Sequence, residues 1–340
     1  MRILVVGQGL AGTLASHFAL ERGWDVHVID AGLPSASSVA AGMYNPMSFR
    51  RIVEVWDASE HLSAMTAAFH QIEAILDVTL LHPLPIQKCL PNDEYAQLWH
   101  EKAQHISWIS PVQPDSKQGL VQGGGWVNLP LLLQKWRCHL EDIGRFEKRQ
   151  MTPADLEELN SHSDNILIDC RGLGASRSSA TGIHQTGFTA NGMDIRANRG
   201  EILTLSFPRG VTPPDGVIQN FGKWTIPIGS GQWRLGASYE WQRNDLHPTA
   251  ETREQLLQKM HENIAGIGNP LVVDHLVGLR PVSRDRRPAV GRHPDHDRWY
   301  FLNGLGTRGV LIGPRWAQWL MGHIEGQNPS IPMVDPSRLF

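Results

Sequence analysis

The sequence predicts a mixed α/β and α+β chain, in which a parallel-sheet domain flanked by helices is interleaved with a β-rich one. Three observations carry this expectation. The first thirty residues read strand, glycine turn, helix, strand. Helical apolar stripes alternate with short β-rich runs as far as residue 175, and from residue 199 onward β-rich segments dominate. Near the C-terminus the pattern returns to a strand, a glycine turn and a helix. With 340 residues, 41% of them hydrophobic and 19% charged, the chain can bury a large core. At roughly 100 to 200 residues each, about two domains are expected.

Residues 3–6 form a short, continuous, β-rich apolar run, as expected of a central parallel strand covered on both faces. Gly7, Gly9 and Gly12 follow at G-x-G-x-x-G spacing, and Leu14, Ala15, Phe18 and Ala19 then recur at helical spacing. Gly23 ends that helix, and residues 25–29 alternate into a second strand that stops at Asp30. This is one βαβ unit of the Rossmann-like kind. One glycine permits the tight turn, one lets backbone approach a pyrophosphate, and one lets helix and strand pack closely. A pyrophosphate then sits on the helix N-terminus, where free N–H groups and the dipole favour an anion. Asp30 would accept hydrogen bonds from adenosine ribose hydroxyls. The unit alone does not say which dinucleotide.

After Asp30 comes an uncharged loop of small residues, in which Ser37 and Ser38 are placed to bond the pyrophosphate while Ala41 and Gly42 let backbone run close to a flat ring. Residues 54–77 read as a long amphipathic helix with Val55, Leu62, Met65, Phe69, Ile72 and Leu76 as its stripe. A strand punctuated by proline is expected over 80–90, and a short helix over 94–105. Leu129, Leu132, Leu133, Trp136, Leu140 and Ile143 mark another helix. Strands at 145–150 and 165–170 rejoin the nucleotide domain, the second leading to Gly172 and Gly174, which close over the cofactor again. Then come β-rich runs at 201–207, 217–228 and 233–239, a helix at 249–267 and a strand at 271–279. Gly304, Gly306 and Gly309 repeat the glycine spacing after an apolar strand at 299–302, but no second strand with a terminal acid follows. This late copy therefore aims a helix N-terminus at another part of the same cofactor.

Composition excludes several classes. Lys and Arg number 31 against 34 Asp and Glu, a net charge of −3, so no nucleic-acid partner is expected. Cys89, Cys138 and Cys170 are scattered and odd in number, which argues against a disulfide framework or a cysteine zinc site and for a reducing cytoplasm. No apolar stretch approaches the roughly 20 residues of a membrane span, and the opening run is too short for a signal peptide. His293 and His296 read as a surface turn, so no metal is expected. Hydrolase chemistry has no support, because no Gly-x-Ser-x-Gly elbow is present.

The ordered motifs carry a resemblance. The opening unit, the segment Ser37-Ser38-Val39-Ala40-Ala41-Gly42-Met43, the strand and turn at 166–175, the segment Gly278-Leu279-Arg280-Pro281 with Asp285, Pro288 and Gly291, and the terminal stretch 304–314 resemble the D-amino-acid oxidase superfamily of FAD enzymes. Glycine oxidase-like members and the FAD domain of a bifunctional tRNA wobble-uridine modification enzyme are the most similar in look. The resemblance implies FAD, a two-domain fold and oxidation of a carbon–nitrogen bond. On it, a Rossmann-like FAD-binding domain occupies 1–79, 120–195 and 275–330, and a β-rich substrate domain occupies 80–119 and 196–274. It puts Gly7, Gly9, Leu10, Ala11, Gly12, Asp30, Ser37, Ser38, Ala41, Gly42, Met43, Gly172, Gly174, Gly304, Gly306, Thr307, Arg308, Gly309 and Val310 against the cofactor.

Arg280 stands where the resemblance implies the arginine that grips a substrate carboxylate, a task suited to a planar, always charged fork. An ion pair with Asp285 is the alternative. Thr307 occupies the position of a further glycine oxidase arginine, which counts against glycine itself as substrate. Arg308, beside a helix N-terminus, would stabilise the negative charge of reduced flavin, or else is a solvated helix-start residue. Tyr239 is expected on a strand facing the flavin, or as a half-buried core tyrosine. Tyr44, Trp224, Arg50 and Arg51 are weaker candidates. The expected reaction is hydride transfer from a small amine or amino-acid substrate to flavin N5, followed by hydrolysis of the imine and passage of electrons to oxygen or another acceptor. The alternatives are removal of an N-carboxymethyl group from modified tRNA, and an FAD-fold binding protein without catalysis.

Overall fold

A computed structural model describes residues 1–113, 115–161, 165–176, 192–208 and 210–340. β1 (Arg2–Val6) ends at Gly7, α1 (Leu10–Glu21) follows with Gly9 as N-cap, and β2 (Asp25–Asp30) returns parallel to β1. The one-turn helix α2 (Ala36–Val39) begins on a reciprocal cap between Ser35 and Ser38. Three two-residue strands follow: β3 (Met43–Tyr44), β4 (Met47–Ser48) and β5 (Val53–Glu54). The long helix expected from residue 54 begins later, as α3 (Ala58–Leu76). Residues 53–54 pair instead with β4, and Asp57 takes a left-handed conformation before the helix.

The strand expected over 80–90 is two strands, β6 (Leu81–Pro83) and β7 (Ile86–Cys89), which join different sheets. Pro83 and Pro85 interrupt the ladder because proline has no N–H to donate. Then come α4 (Asp93–Ala103), capped by Asn92, and β8 (Gln118–Val121), β9 (Gly125–Val127) and α5 (Leu129–Asp142), the last capped by Asn128. β10 (Phe146–Lys148), α6 (Pro153–Ser161) and β11 (Asn165–Asp169) lead to a 3-10 turn at Gly172–Ala175.

β12 (Ile195–Ser206) is longer than the expected run. The segment 217–228 is a hairpin, β13 (Ile218–Asn220) and β14 (Trp224–Gly229), turning at Gly222 with φ of +89°. β15 (Gln232–Gly236) stops short of Tyr239, which therefore lies beyond the strand rather than on it. α7 (Ala250–Asn263) is followed by β16 (Leu271–Ser283), so the expected boundary at 274/275 falls inside one strand. β17 (Ala289–His293) and β18 (His296–Asn303) form a hairpin whose turn is Pro294-Asp295, and His293 is buried rather than at the surface. A 3-10 turn at Gly306–Arg308, α8 (Gly309–Ile324) and a 3-10 turn at Pro336–Leu339 complete the order.

Two large sheets result. The first has the order β10-β2-β1-β11-β18-β17 and is parallel except for β17. The second has the order β16-β12-β15-β14-β13-β7-β8 and is antiparallel except between β13 and β7. β1 shows why its run is apolar throughout. Ile3 and Val5 face a core with Leu14, Phe18, Met65, Phe69, Trp136 and Leu320, from α1, α3, α5 and α8. Leu4 and Val6 face the other side, where Ile195 and Leu279 of the second sheet pack with Leu167 and Phe301. Alternate side chains of a strand point to opposite faces, and here both faces are covered. The carboxyl ends of β1, β2, β11 and β18 therefore open toward β12 and β16, which is where ligands bind in sheets of this kind.

Candidate functional site

A cavity of about 520 Å³ lies along those strand ends, between the loop after β2 and the second sheet. At β1, Gly7 has φ of +96°, and a Cβ there would lie 2.8 Å from the Cys170 carbonyl oxygen. Gly9, Leu10 and Ala11 line the cavity. Gly12 does not; a Cβ on it would meet the Gly7 carbonyl oxygen at 1.7 Å, so its part is to let α1 close on the turn. The first turn of α1 has no acidic residue and no side-chain cap from Gly9, which leaves its N–H groups facing the cavity. One is used: Leu10 N donates to Ser37 Oγ at 3.0 Å.

Ser37 lines the cavity, whereas Ser38 is drawn away from it. Its hydroxyl donates to the Ser35 carbonyl oxygen at 2.8 Å and accepts from Ser35 N at 3.1 Å, which completes the cap of α2. Ala41, Gly42 and Met43 line the cavity. A Cβ on Gly42, whose φ is +75°, would lie 1.9 Å from the Val127 carbonyl oxygen, so the loop hugs β9.

Asp30 ends β2 at the cavity wall and is held by three donors: Gln8 N at 2.7 Å, Gly32 N at 2.7 Å and Arg137 Nη2 at 3.1 Å. Arg137, on α5, also donates from Nε to Gln8 Oε1 at 2.9 Å. Sequence reasoning missed it, because it lies 107 residues from Asp30 on a helix read only for its apolar stripe. Asn303 was missed too. Its Nδ2 donates to the Gly172 carbonyl oxygen at 3.0 Å and its Oδ1 accepts from Gly304 N at 2.7 Å, so one side chain ties two glycine turns together. Gly172, Gly174, Gly304, Gly306, Thr307, Arg308, Gly309 and Val310 all line the cavity. α8 starts at Gly309, where a Cβ would meet Leu10 Cδ2 at 3.2 Å, so the starts of the two helices lie together.

At the second sheet, Arg280 leaves β16 and its Nη1 donates to Asn198 Oδ1 at 3.0 Å and, longer, to the Ser238 carbonyl oxygen at 3.4 Å. The guanidinium carbon lies 4.6 Å from the centre of the Tyr239 ring. Gly200 makes the space, since a Cβ on it would lie 2.2 Å from Nη2. Asp285 is not its partner; that carboxylate pairs with Arg338 at 2.9 Å, and although burial pushes its pKa up, the hydrogen bonds from Arg338, Arg287 N and Ser283 and the Arg338 charge outweigh this and hold it at about 2. Arg280 and Arg308 are both partly buried, and burial pushes both pKa values down, with Tyr239 opposing. Neither forms an ion pair among the described residues. Arg308 is thus not a solvated helix-start residue. Tyr239 is 56% exposed and lines the cavity, which makes it a cover over Arg280 rather than a core tyrosine. Lys223 Nζ donates to the Ala237 carbonyl oxygen at 2.9 Å and lies 6.0 Å from the same ring.

Tyr44, its pKa pushed by burial to about 12, and Trp224 also line the cavity; Arg50 and Arg51 are exposed and do not. Among the described residues, no three His, Cys, Asp or Glu side chains are grouped as for a metal ion, and no helix is long and apolar enough to cross a membrane. Open N–H groups at α1, an acid at the end of β2 and glycine turns leading on to α8 form a donor set that fits a pyrophosphate-bridged dinucleotide.

Comparisons with known proteins agree. The family model DAO, FAD dependent oxidoreductase, matches residues 2–321. The tRNA 5-methylaminomethyl-2-thiouridine biosynthesis bifunctional protein MnmC of Legionella pneumophila strain Corby is 21% identical over 99% of this chain and 57% of its own length. The chain thus spans about 57% of that relative. Glycine oxidase of Bacillus licheniformis is 30% identical over 106 residues, 31% of this chain and 28% of that protein. Among solved structures, iminodiacetate oxidase from Chelativorans sp. BNC1 superposes with a TM-score of 0.78 at 18% identity, covering 98% of this chain and 99% of that one. Glycine oxidase from Geobacillus kaustophilus gives 0.79 at 17% identity, covering 100% and 99%. At these identities the structural likeness is one of fold.

Proposed function

The chain belongs to the DAO family of FAD-dependent oxidoreductases, and from that premise we propose that it oxidises the C–N bond of a small amino acid or secondary amine bearing a carboxylate. Gly9, Leu10, Ala11 and Ser37 would hold the FAD pyrophosphate, and Asp30 the adenosine ribose. Ala41 to Met43, Gly172, Gly174, Gly304 and Gly306 would border the rest, with the start of α8 from Thr307 to Val310 supplying positive partial charge. When bound, FAD supplies the two-electron acceptor for the hydride that leaves the carbon beside the amine nitrogen.

The observation that carries the substrate class is Arg280. Asn198 and, at longer range, the Ser238 carbonyl oxygen hold Nη1, while Nε and Nη2 have no acceptor among the described residues. A guanidinium so placed is a fork for a carboxylate, and pinning that carboxylate orients the adjacent carbon. Tyr239 stacks on the same guanidinium and shields it from water. Arg280 and Arg308 also disfavour an ammonium nearby, so the amine reacts in its neutral form. Loss of hydride from carbon and of a proton from nitrogen leaves an imine, which water splits to a carbonyl compound and an amine. Oxygen or another acceptor takes up the electrons.

Anaerobic mixing with amino acids, N-methyl amino acids and neutral amines tests this by flavin bleaching. Carboxylate-bearing amines should bleach it and neutral amines should not; a flavin that none of them bleaches removes the proposal. A second reading, removal of an N-carboxymethyl group from a modified tRNA, is favoured by the likeness to MnmC over 99% of this chain. The net charge of −3 counts against it. Bleaching by an N-carboxymethyl nucleoside alone would select it.

A further inference from the structure

Arg280 and Arg308 both reach the cavity, yet neither has a carboxylate partner among the described residues. Of the other buried arginines, Arg171 is neutralised by Asp169 at 2.7 Å and Arg199 by Glu201 at 2.6 Å, whereas Arg234 donates only to the Ala40 carbonyl oxygen at 3.0 Å. Among the described residues the cavity lining contains one acid, Asp30, and that is already held by Arg137 and two backbone N–H groups. A third positive group stands close by, since Lys223 Nζ and the Arg280 guanidinium lie 6.0 Å and 4.6 Å from one ring, that of Tyr239. Burial works against the charge of all three, and the Tyr239 phenol acts on both arginines.

Partly buried cations without anions are costly unless an occupant supplies the missing charge. A single carboxylate on Arg280 satisfies one of them. The first-turn N–H groups of α8 already offer positive partial charge to the flavin, which leaves the Arg308 guanidinium for something else. We propose that the substrate carries two acidic groups, one received by Arg280 and the second by Arg308, so that its class is a dicarboxylic amine or amino acid. This rests on the amine-oxidising reading of the site.

Binding can be measured without turnover. The holoenzyme is titrated at fixed ionic strength with acetate and propionate, then with malonate and succinate, while the flavin absorption spectrum is followed. The dicarboxylates should bind about tenfold more tightly or better, the weight of one added charge-assisted hydrogen bond. In Arg308→Met the ratio should fall to within about twofold, and Arg308→Lys should restore part of it. Equal affinity for the two sets in the unaltered protein overturns the proposal, as does a ratio that survives in Arg308→Met. Should Arg308→Met fail to retain FAD, the ratio in the unaltered protein decides. A protein that prefers dicarboxylates but is bleached by no amine would end the amine reading while leaving the two-anion site in place.

Discussion

The Tyr239 ring lies over the Arg280 guanidinium at 4.6 Å, and Gly200 approaches the same guanidinium so closely that a Cβ on it would lie 2.2 Å from Nη2. The cation is thus bordered closely by two residues that bring no negative charge. That arrangement makes its strength as a carboxylate receptor depend on neighbours that never touch substrate.

Arg280→Ala should lower kcat/KM for carboxylate-bearing amines about a hundredfold, since a bidentate charged contact is lost. Neutral amines should be little affected. Equal loss toward both kinds of substrate would make the arginine structural.

Gly200→Ala should act on the same step from outside it. The added methyl would lie 2.2 to 2.5 Å from three guanidinium atoms, and a flexible side-chain end gives way more cheaply than backbone. KM for carboxylate substrates should rise roughly tenfold, while thermal stability shifts by less than about 1 kcal/mol. A large loss of stability with KM intact would contradict this.

At the other end of the cavity, Asp30→Ala should weaken FAD binding about tenfold or more, read as flavin fluorescence on titrating apoprotein. Arg137→Met should weaken it less, because Gln8 N and Gly32 N still orient the carboxylate. A double variant no worse than Asp30→Ala would show that Arg137 acts through Asp30.

Gly42→Ala combines a strained φ of +75° with a contact of 1.9 Å to backbone. Neither can relax without moving the loop off β9. The expected cost is about 2 to 4 kcal/mol in unfolding free energy, with loss of bound FAD. A stable, yellow Gly42→Ala protein would show that the loop is not fixed there.

His293 gives a pH dependence. Burial and then the charge of His296 lower its pKa to about 4, and its Nδ1 accepts from Asp295 N at 3.0 Å. The unfolded chain takes up this proton near pH 6.5, so the neutral folded form has its full advantage above that pH. The advantage is lost as pH falls toward 4, by about 2 to 3 kcal/mol. Denaturant unfolding at pH 7.5 and 4.5 should show the drop, and His293→Phe should reduce it. His61, also lowered to about 4 by burial, adds to the remaining slope.

Legibility in the sequence followed distance along the chain. The unit from β1 to Asp30 was readable because strand, turn, helix and acid lie within thirty residues, each with its own pattern. Arg137, Asn198 and Asn303 were not, since their roles arise from partners 82 to 131 residues away and a lone Asn or Arg carries no periodic signal. Ser38 was read as a phosphate ligand, yet a local cap with Ser35 competes for the same hydroxyl and holds it here. Tyr239 illustrates a third cause: its neighbours suggest a strand, but β15 ends at Gly236.

Asn303 bears on how the protein comes into being. It closes β18 and joins the turn at Gly172 to the one at Gly304, while β18 supplies the neighbour that β11 requires in its sheet. During synthesis the opening unit emerges early, but the bed for the cofactor stays open on one side until residues beyond 303 have left the ribosome. Until β18 has emerged and paired, β11 is an exposed sheet edge, the kind of surface on which nascent chains associate with one another.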